Sequence, residues 1–508
     1  MVNSSRNKGI ALSYINTALN MVCGLFLSSY LLRMLGDTEY GIYQTISSFV
    51  NYLVLFEFGT GTVMTRNLSV CKGKNASKLE TDKNVSTIWI ITNILAFAIL
   101  TVSVIFYFSI GSIYSNSLTP SQITHGKNMF VFMVVYLIAS FYTQTVNGAI
   151  LACEKYTFSS AMSIVRIAIR TALLTALILF FKNAIIIAII DSALSALIAL
   201  YSYYYCKKDC KVAFSFKYFD SQIFKAMLPL CLAIFLQVIV NQANNNVDKF
   251  LIGIMLSPEK VALYGVGMYI YSVFSSLTTI PISMYAPQII KNVSNGLAGK
   301  ELTNTLIQPS RLIILIGGSV IFGFIAAGKQ FISIFYGKDY MQAWLVAVVI
   351  MVPMFINMAN GILINVLDAL RKRLYRSNIL MFTTVANILL TILWIKKHGI
   401  VGAALATAIC TFIGQVIVMN IYYKKKIGIP VLYMFAKSFK GILIYQMIGA
   451  IAGYFTGQLI QNVYLSFIAA ISVFLFISLF GFLFLGTNNL EKQRIIEIKK
   501  KVFGGKNA

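Results

Sequence analysis

The sequence predicts an all-α polytopic membrane protein of about 14 transmembrane helices, built as two parallel six-helix repeats plus a C-terminal helix pair. Of its 508 residues, 58% are hydrophobic and only 11% charged, at a mean hydropathy of +0.78; a soluble domain carries about a quarter charged residues. The apolar residues gather into runs of the roughly 20 residues needed to cross a hydrocarbon core about 30 Å thick. Short motifs also recur in the same order at offsets of 213 to 224 residues.

Taken in order, the apolar runs place spans near 9–34, 42–65, 85–110, 128–152, 162–181, 185–206, 225–247, 261–286, 309–333, 343–367, 378–395, 401–422, 439–460 and 464–486. The first run is too long for a signal-peptide core and lacks a small-x-small cleavage site, so it reads as a retained helix. The longest connections, 111–127, 207–224 and 287–308, and the tail 487–508 are each too short to bury a core of their own. The net charge of +26 would suit nucleic acid, but the placement of the basic residues excludes that reading. Of 42 Lys and Arg residues, 31 fall on one set of alternate connections and termini, 9 on the other, and two, Arg166 and Arg170, inside a span. This asymmetry is the positive-inside rule and predicts cytoplasmic termini, with the basic face toward anionic lipid.

Seven cysteines fall in spans or cytoplasmic connections, which predicts no disulfide framework. Cys206 and Cys210 have C-x₃-C spacing, but the two histidines, His125 and His398, lie on the opposite set of connections. No metal site is therefore predicted, no cofactor, and no histidine-based catalysis.

The recurring motifs are collinear. Leu173-Leu174-Thr175 matches Leu389-Leu390-Thr391, Tyr204-Tyr205 followed by lysines matches Tyr422-Tyr423, Asn147-Gly148 matches Asn360-Gly361, and Tyr40-Gly41-Ile42 matches Tyr264-Gly265-Val266. Because six helices return the chain to its starting side, the repeats insert the same way round, with an axis along the membrane normal. The predicted division is a six-helix bundle at 1–206, a cytoplasmic linker at 207–224, a second bundle at 225–426, and a peripheral helix pair with a cytoplasmic tail at 427–508. The space between the halves is the expected substrate cavity.

The stretch Leu31-Leu32-Arg33-Met34-Leu35-Gly36-Asp37-Thr38-Glu39-Tyr40-Gly41-Ile42-Tyr43 resembles the first outer turn of polysaccharide-export flippases. Phe56-Glu57-Phe58-Gly59-Thr60-Gly61, with Arg66 beyond it, is similar to their second-helix ending. Asn245 to Gly253 and Gly399 to Ala406 resemble the matching parts of the second half. The resemblance covers nearly the whole chain and is to the Wzx-type oligosaccharide flippases of the multidrug/oligosaccharidyl-lipid/polysaccharide exporter superfamily, with its MATE-like fold. It implies a non-enzymatic flippase that moves undecaprenyl-diphosphate-linked oligosaccharides to the outer leaflet of a bacterial inner membrane for O-antigen or capsule assembly. Membrane lipids and polysaccharide assembly proteins are the implied partners, and the coupling ion, H⁺ or Na⁺, is left open. A drug or lipid-precursor exporter of the same fold is the first alternative, and a membrane-embedded glycan polymerase or glycosyltransferase the second, although the short, acid-poor outer connections speak against an enzyme.

A flippase needs a hydrophilic lumen, so polar residues should form helical stripes. Gln237, Asn241, Asn244 or Asn245, and Asp248 recur at steps of three to four, and Ser13, Thr17 and Asn20 occupy the repeat-related stripe. Interhelical hydrogen bonding, about 1–2 kcal/mol per contact, is the bland reading of such amides. Charges inside spans are sharper signals, each costing about 2.5–3.5 kcal/mol on insertion scales. Arg166 and Arg170 share one face, and their guanidinium forks suit diphosphate oxygens; snorkelling is the alternative, stronger for Arg166. Glu57 and Asp191 are candidate coupling groups or counter-ions. Tyr264, Tyr269, Tyr271 and Tyr285 read more simply as interface and packing residues than as sugar platforms.

Overall fold

In the computed structural model, the described residues are 2–73, 76–370, 372–488 and 491–493, and they contain helices and connections but no strand. Side chains at 2–14, at Gln237, Asn241, Asn244 and Asn245, and at a few further positions lie outside the described residues. In chain order the helices are α1 (Val2–Val50), α2 (Thr60–Gly73), α3 (Lys78–Ile113), α4 (Pro120–Ala152), α5 (Tyr156–Phe181), α6 (Ile185–Asp209), α7 (Ser221–Met255) and α8 (Pro258–Ser294). They continue with α9 (Gly299–Phe335), α10 (Gln342–Ala359), α11 (Gly361–Ala369), α12 (Arg373–Thr411), α13 (Met419–Tyr422), α14 (Val431–Phe439), α15 (Leu443–Leu459) and α16 (Val463–Gly481).

Among the described residues, ten helical segments are long and apolar enough to cross a membrane, or eleven if α14 and α15, bent by 51°, make one span. The chain is a multi-pass membrane protein. Two of those segments each cover two predicted spans, because the helix path runs through a single non-helical glycine: Gly36 (φ 78°) within α1 and Gly399 (φ 57°) within α12. Both glycines sit in predicted outer turns, in left-handed backbone that a side chain disfavours.

Several helices outrun their apolar cores. The predicted connection 111–127 shrinks to 114–119, because Thr119 and Gln122 form a reciprocal capping box and Pro120 opens α4. Between α6 and α7 only 210–220 is non-helical, closed by Asp220 accepting the Gln222 and Ile223 N–H groups. Conversely, the predicted span 42–65 is broken: a 3₁₀ turn at Asn51–Glu57 and left-handed Phe58 and Gly59 precede α2. The glycines beyond the break have a packing reason. A Cβ on Gly148 would stand 2.2 Å from the Gly61 carbonyl oxygen, so α2 and α4 cross where neither helix carries a side chain. Thr65 donates to the Gly148 carbonyl at 3.0 Å, and the Thr60 and Thr145 hydroxyls bond at 2.8 Å.

The chain divides into two compact units, Met1–Gly265 with Thr391–Ile400, and Val266–Leu390 with Val401–Ala508. In the first, Ile46, Phe49, Leu53, Met129 and Phe130 form a buried core while Phe97, Phe108 and Phe180 are exposed, as a bilayer-facing surface requires. In the second, α15 and α16 pack on each other and on α9, with Phe474 buried beside Ala326 and Ala450. At the end of this assembly Arg311, only 4% exposed, forks onto Glu491 at 2.7 and 3.0 Å. It also donates to the carbonyls of Lys437, Lys440 and Gly486. The guanidinium thereby ties α9 to both ends of the terminal helices.

Candidate functional site

Helices α5 and α6 run antiparallel from the turn at Lys182, where Asn183 accepts the Ile185 N–H. A four-residue step along one helix therefore meets a four-residue step back along the other. Arg170 lies level with Asp191, and Arg166 with Ser195. Because α5 begins at Tyr156, the two arginines stand about 15 and 21 Å along it at 1.5 Å per residue.

The two guanidiniums have different partners. Arg170 Nε and Nη2 donate to Asp191 Oδ1 and Oδ2 at 2.5 and 2.9 Å, a bidentate pair. The Arg170 side chain remains 31% exposed. Arg166 Nη2 donates to the Ser195 hydroxyl at 3.2 Å, and its guanidinium lies 5.5 Å from the Tyr136 ring centroid. A carboxylate neutralises the first, while a hydroxyl and an aromatic face solvate the second.

Both arginines and Asp191 line a cavity of about 450 Å³ within the first unit, with Asn16, Asn20 and Asn51 among its polar wall residues. That volume suits a small ligand or a head group. Among the described residues its charged lining is Arg166, Arg170 and Asp191, a formal net of one positive charge. Of the predicted polar stripe of the first helix, Asn20 lines the cavity and the Ser13 side chain lies outside the described residues. Tyr43, Tyr136, Asn16 and Asn51 were not anticipated. Asn51 was legible as an amide in an apolar run, and the two tyrosines carried no signal that separates them from packing residues.

Glu57 and Gln144 line an adjoining pocket of about 150 Å³ that shares Asn51 and Tyr136 with the larger cavity. Asp248 sits elsewhere. It is 4% exposed and accepts from the Tyr264 hydroxyl at 2.6 Å and the Thr391 hydroxyl at 3.3 Å. Of the predicted α7 stripe, Gln237, Asn241, Asn244 and Asn245 lie outside the described residues. The neighbouring amides Gln242 and Asn246 bond to each other, and Asn246 accepts from the cavity-lining Asn51 at 3.4 Å. Lys249 donates to Gln44 at 3.4 Å. Glu39 binds His125 Nε2 at 3.0 Å and the Ala184 N–H at 3.2 Å.

Residues 7–293 match the sequence profile of the family described as Polysaccharide biosynthesis protein, more than half of the chain. A probable low-salt glycan biosynthesis flippase, Agl15, of Haloferax volcanii is 23% identical over 174 residues, 34% of this chain and 36% of that protein. The chain thus aligns with about a third of the length of that curated relative. Among solved structures, the lipid II flippase MurJ in an inward closed conformation superposes with a TM-score of 0.65 at 18% identity, over 93% of this chain and 99% of that one. An inward-facing multidrug resistance MATE family transporter of the MOP superfamily gives 0.59 at 13% identity, over 89% and 99%. At these identities the likeness is one of fold, and the fold is one that transporters use.

Proposed function

Since this chain belongs to the polysaccharide biosynthesis protein family, we propose that it is a flippase for lipid-linked oligosaccharide units, carried on a prenyl diphosphate of the undecaprenyl type. It delivers them from the inner to the outer leaflet of a bacterial cytoplasmic membrane, with both termini cytoplasmic, for O-antigen or capsule assembly. The observation that carries the reading is the cavity holding Arg166 and Arg170 between membrane helices. A permanently charged guanidinium is costly in a bilayer and marks a substrate path by default, and its planar fork matches phosphate oxygens. Asparagines and the Tyr136 ring supply hydrogen bonds and a face for the sugar next to the phosphates. The lipid tail needs no polar cavity and stays in the bilayer.

Movement follows alternating access between the two repeated halves, 1–206 and 225–426, with the pair in 427–508 outside the moving parts. Drug export by the same fold is the second reading. A cavity of net positive charge does not favour the cationic compounds such a pump would take.

Depletion in a cell separates the readings: the proposal expects the lipid-linked glycan to accumulate in the inner leaflet, and an unchanged leaflet distribution with lost drug resistance would replace it with the second. Arg170→Ala tests the site, with expected loss of export at normal protein level. Because that variant also strands Asp191, the double variant Arg170→Ala with Asp191→Asn removes the uncompensated carboxylate. Export that returns in the double variant would make the pair structural.

A further inference from the structure

We infer that Asp191 is a specificity determinant: it is an internal anion that the substrate must displace from Arg170, so the site selects a head group of two phosphates over one. The inference rests on the reading of the cavity as a lipid-phosphate site.

Arg170 is not an empty receptor. Both oxygens of Asp191 occupy Nε and Nη2 of its fork, the edge that a phosphate would use for the same bidentate grip. A ligand therefore reaches that edge by exchange, and the exchange is favourable only if the ligand offers more than the carboxylate it removes. Arg166, one turn away on the same face, is held by the Ser195 hydroxyl and the Tyr136 ring. A neutral hydroxyl gives way at little cost compared with a carboxylate, and the ring lies against the guanidinium without using its N–H donors.

A single phosphate thus binds Arg166 and leaves the Arg170–Asp191 pair closed. It gains one guanidinium and faces a net charge of plus one. Side chains one helical turn apart are about 5–6 Å apart at their Cβ atoms, a spacing that two linked phosphates bridge and one does not. The second phosphate brings the extra charge that displaces Asp191. When the head group leaves, Asp191 closes on Arg170 again, because a lone carboxylate in this cavity is more costly than a paired one. The carboxylate therefore sets a threshold of ligand charge for entry and favours departure, both of which a transporter needs.

Farnesyl diphosphate and farnesyl monophosphate are suitable probes, since they share a tail and differ in the head group. Their equilibrium binding is measured on the full chain purified in detergent, for wild type, Asp191→Asn and Asp191→Glu. The wild type is expected to prefer the diphosphate. Asp191→Asn frees the Arg170 fork, so monophosphate affinity rises about tenfold, the gain of a charge-assisted contact, and the preference collapses. Asp191→Glu restores a carboxylate and retains the preference. A structural role for Asp191 would lower both affinities together and leave their ratio in place, which overturns the inference, as does an Asn variant of wild-type selectivity. A wild type that binds both probes equally overturns it without any variant and leaves the lipid-phosphate reading standing. A wild type that binds neither overturns that reading and the inference with it.

Discussion

Arg170 and Arg311 are both arginines that fork onto a carboxylate within helical packing, yet their surroundings differ in a way that assigns them different work. Arg311 is 4% exposed and donates to Glu491 and to three backbone carbonyls, so its donors are saturated by the protein. Arg170 has Asp191 on one edge, a cavity beside it and a second guanidinium one turn away. The first arrangement leaves nothing for a ligand and closes one end of a helix assembly. The second spends only part of the fork and remains open to exchange. An arginine–carboxylate pair is thus a clamp or a receptor according to how many donors its own chain has already used.

The largest expected effect breaks the clamp. Arg311→Ala strands Glu491 and unties three carbonyls, and removing one partner of a buried pair costs about 3–5 kcal/mol; the thermal midpoint in detergent should fall steeply and membrane levels with it. A variant as stable as wild type would show that the terminal helices are held by apolar packing alone. Next, Arg170→Ala should lose export while remaining inserted, with Arg170→Lys retaining part of it because lysine keeps the charge and loses the fork. Equal loss of folded protein at both arginines would erase the distinction between clamp and receptor. Third, Tyr136→Leu should weaken farnesyl diphosphate binding several-fold, since a cation–π contact away from bulk water contributes about 1–2 kcal/mol. Smallest, Ser195→Ala should change that binding by less than about 1 kcal/mol, since the hydroxyl that Arg166 donates to is replaced by the head group on binding. A Ser195 effect exceeding that of Tyr136 would reverse the assignment of what holds Arg166.

The sequence made the proposed receptor more legible than the clamp, for a physical reason. Arg166 and Arg170 stand inside an apolar run, where composition alone makes a charge anomalous, and their four-residue step puts them on one helix face; Ser195, a small neutral residue, carried no such signal. Arg311 looked like one more basic residue of a cytoplasmic connection. Its partners are backbone carbonyls at Lys437, Lys440 and Gly486, and carbonyls leave no trace in side-chain pattern. Similarly, Gly36 and Gly399 were placed in turns because apolar runs stop there, whereas the break at Phe58–Gly59 lies inside an apolar run and was marked only by the family resemblance at Phe56 to Gly61. The division at Gly265–Val266 falls inside α8, where hydropathy is continuous and no composition shift marks it.

The central claim is that the paired guanidiniums receive the anionic head group of a lipid-linked glycan during transfer between leaflets. It is tested most directly by reconstituting the purified chain alone into liposomes with a prenyl-diphosphate-linked oligosaccharide, and measuring how much glycan becomes accessible to an external lectin over time. The account predicts transfer by the wild type and its loss in Arg166→Ala and in Arg170→Ala with Asp191→Asn, at equal reconstituted amounts. Transfer at the wild-type rate by both variants, or none by the wild type, would contradict it.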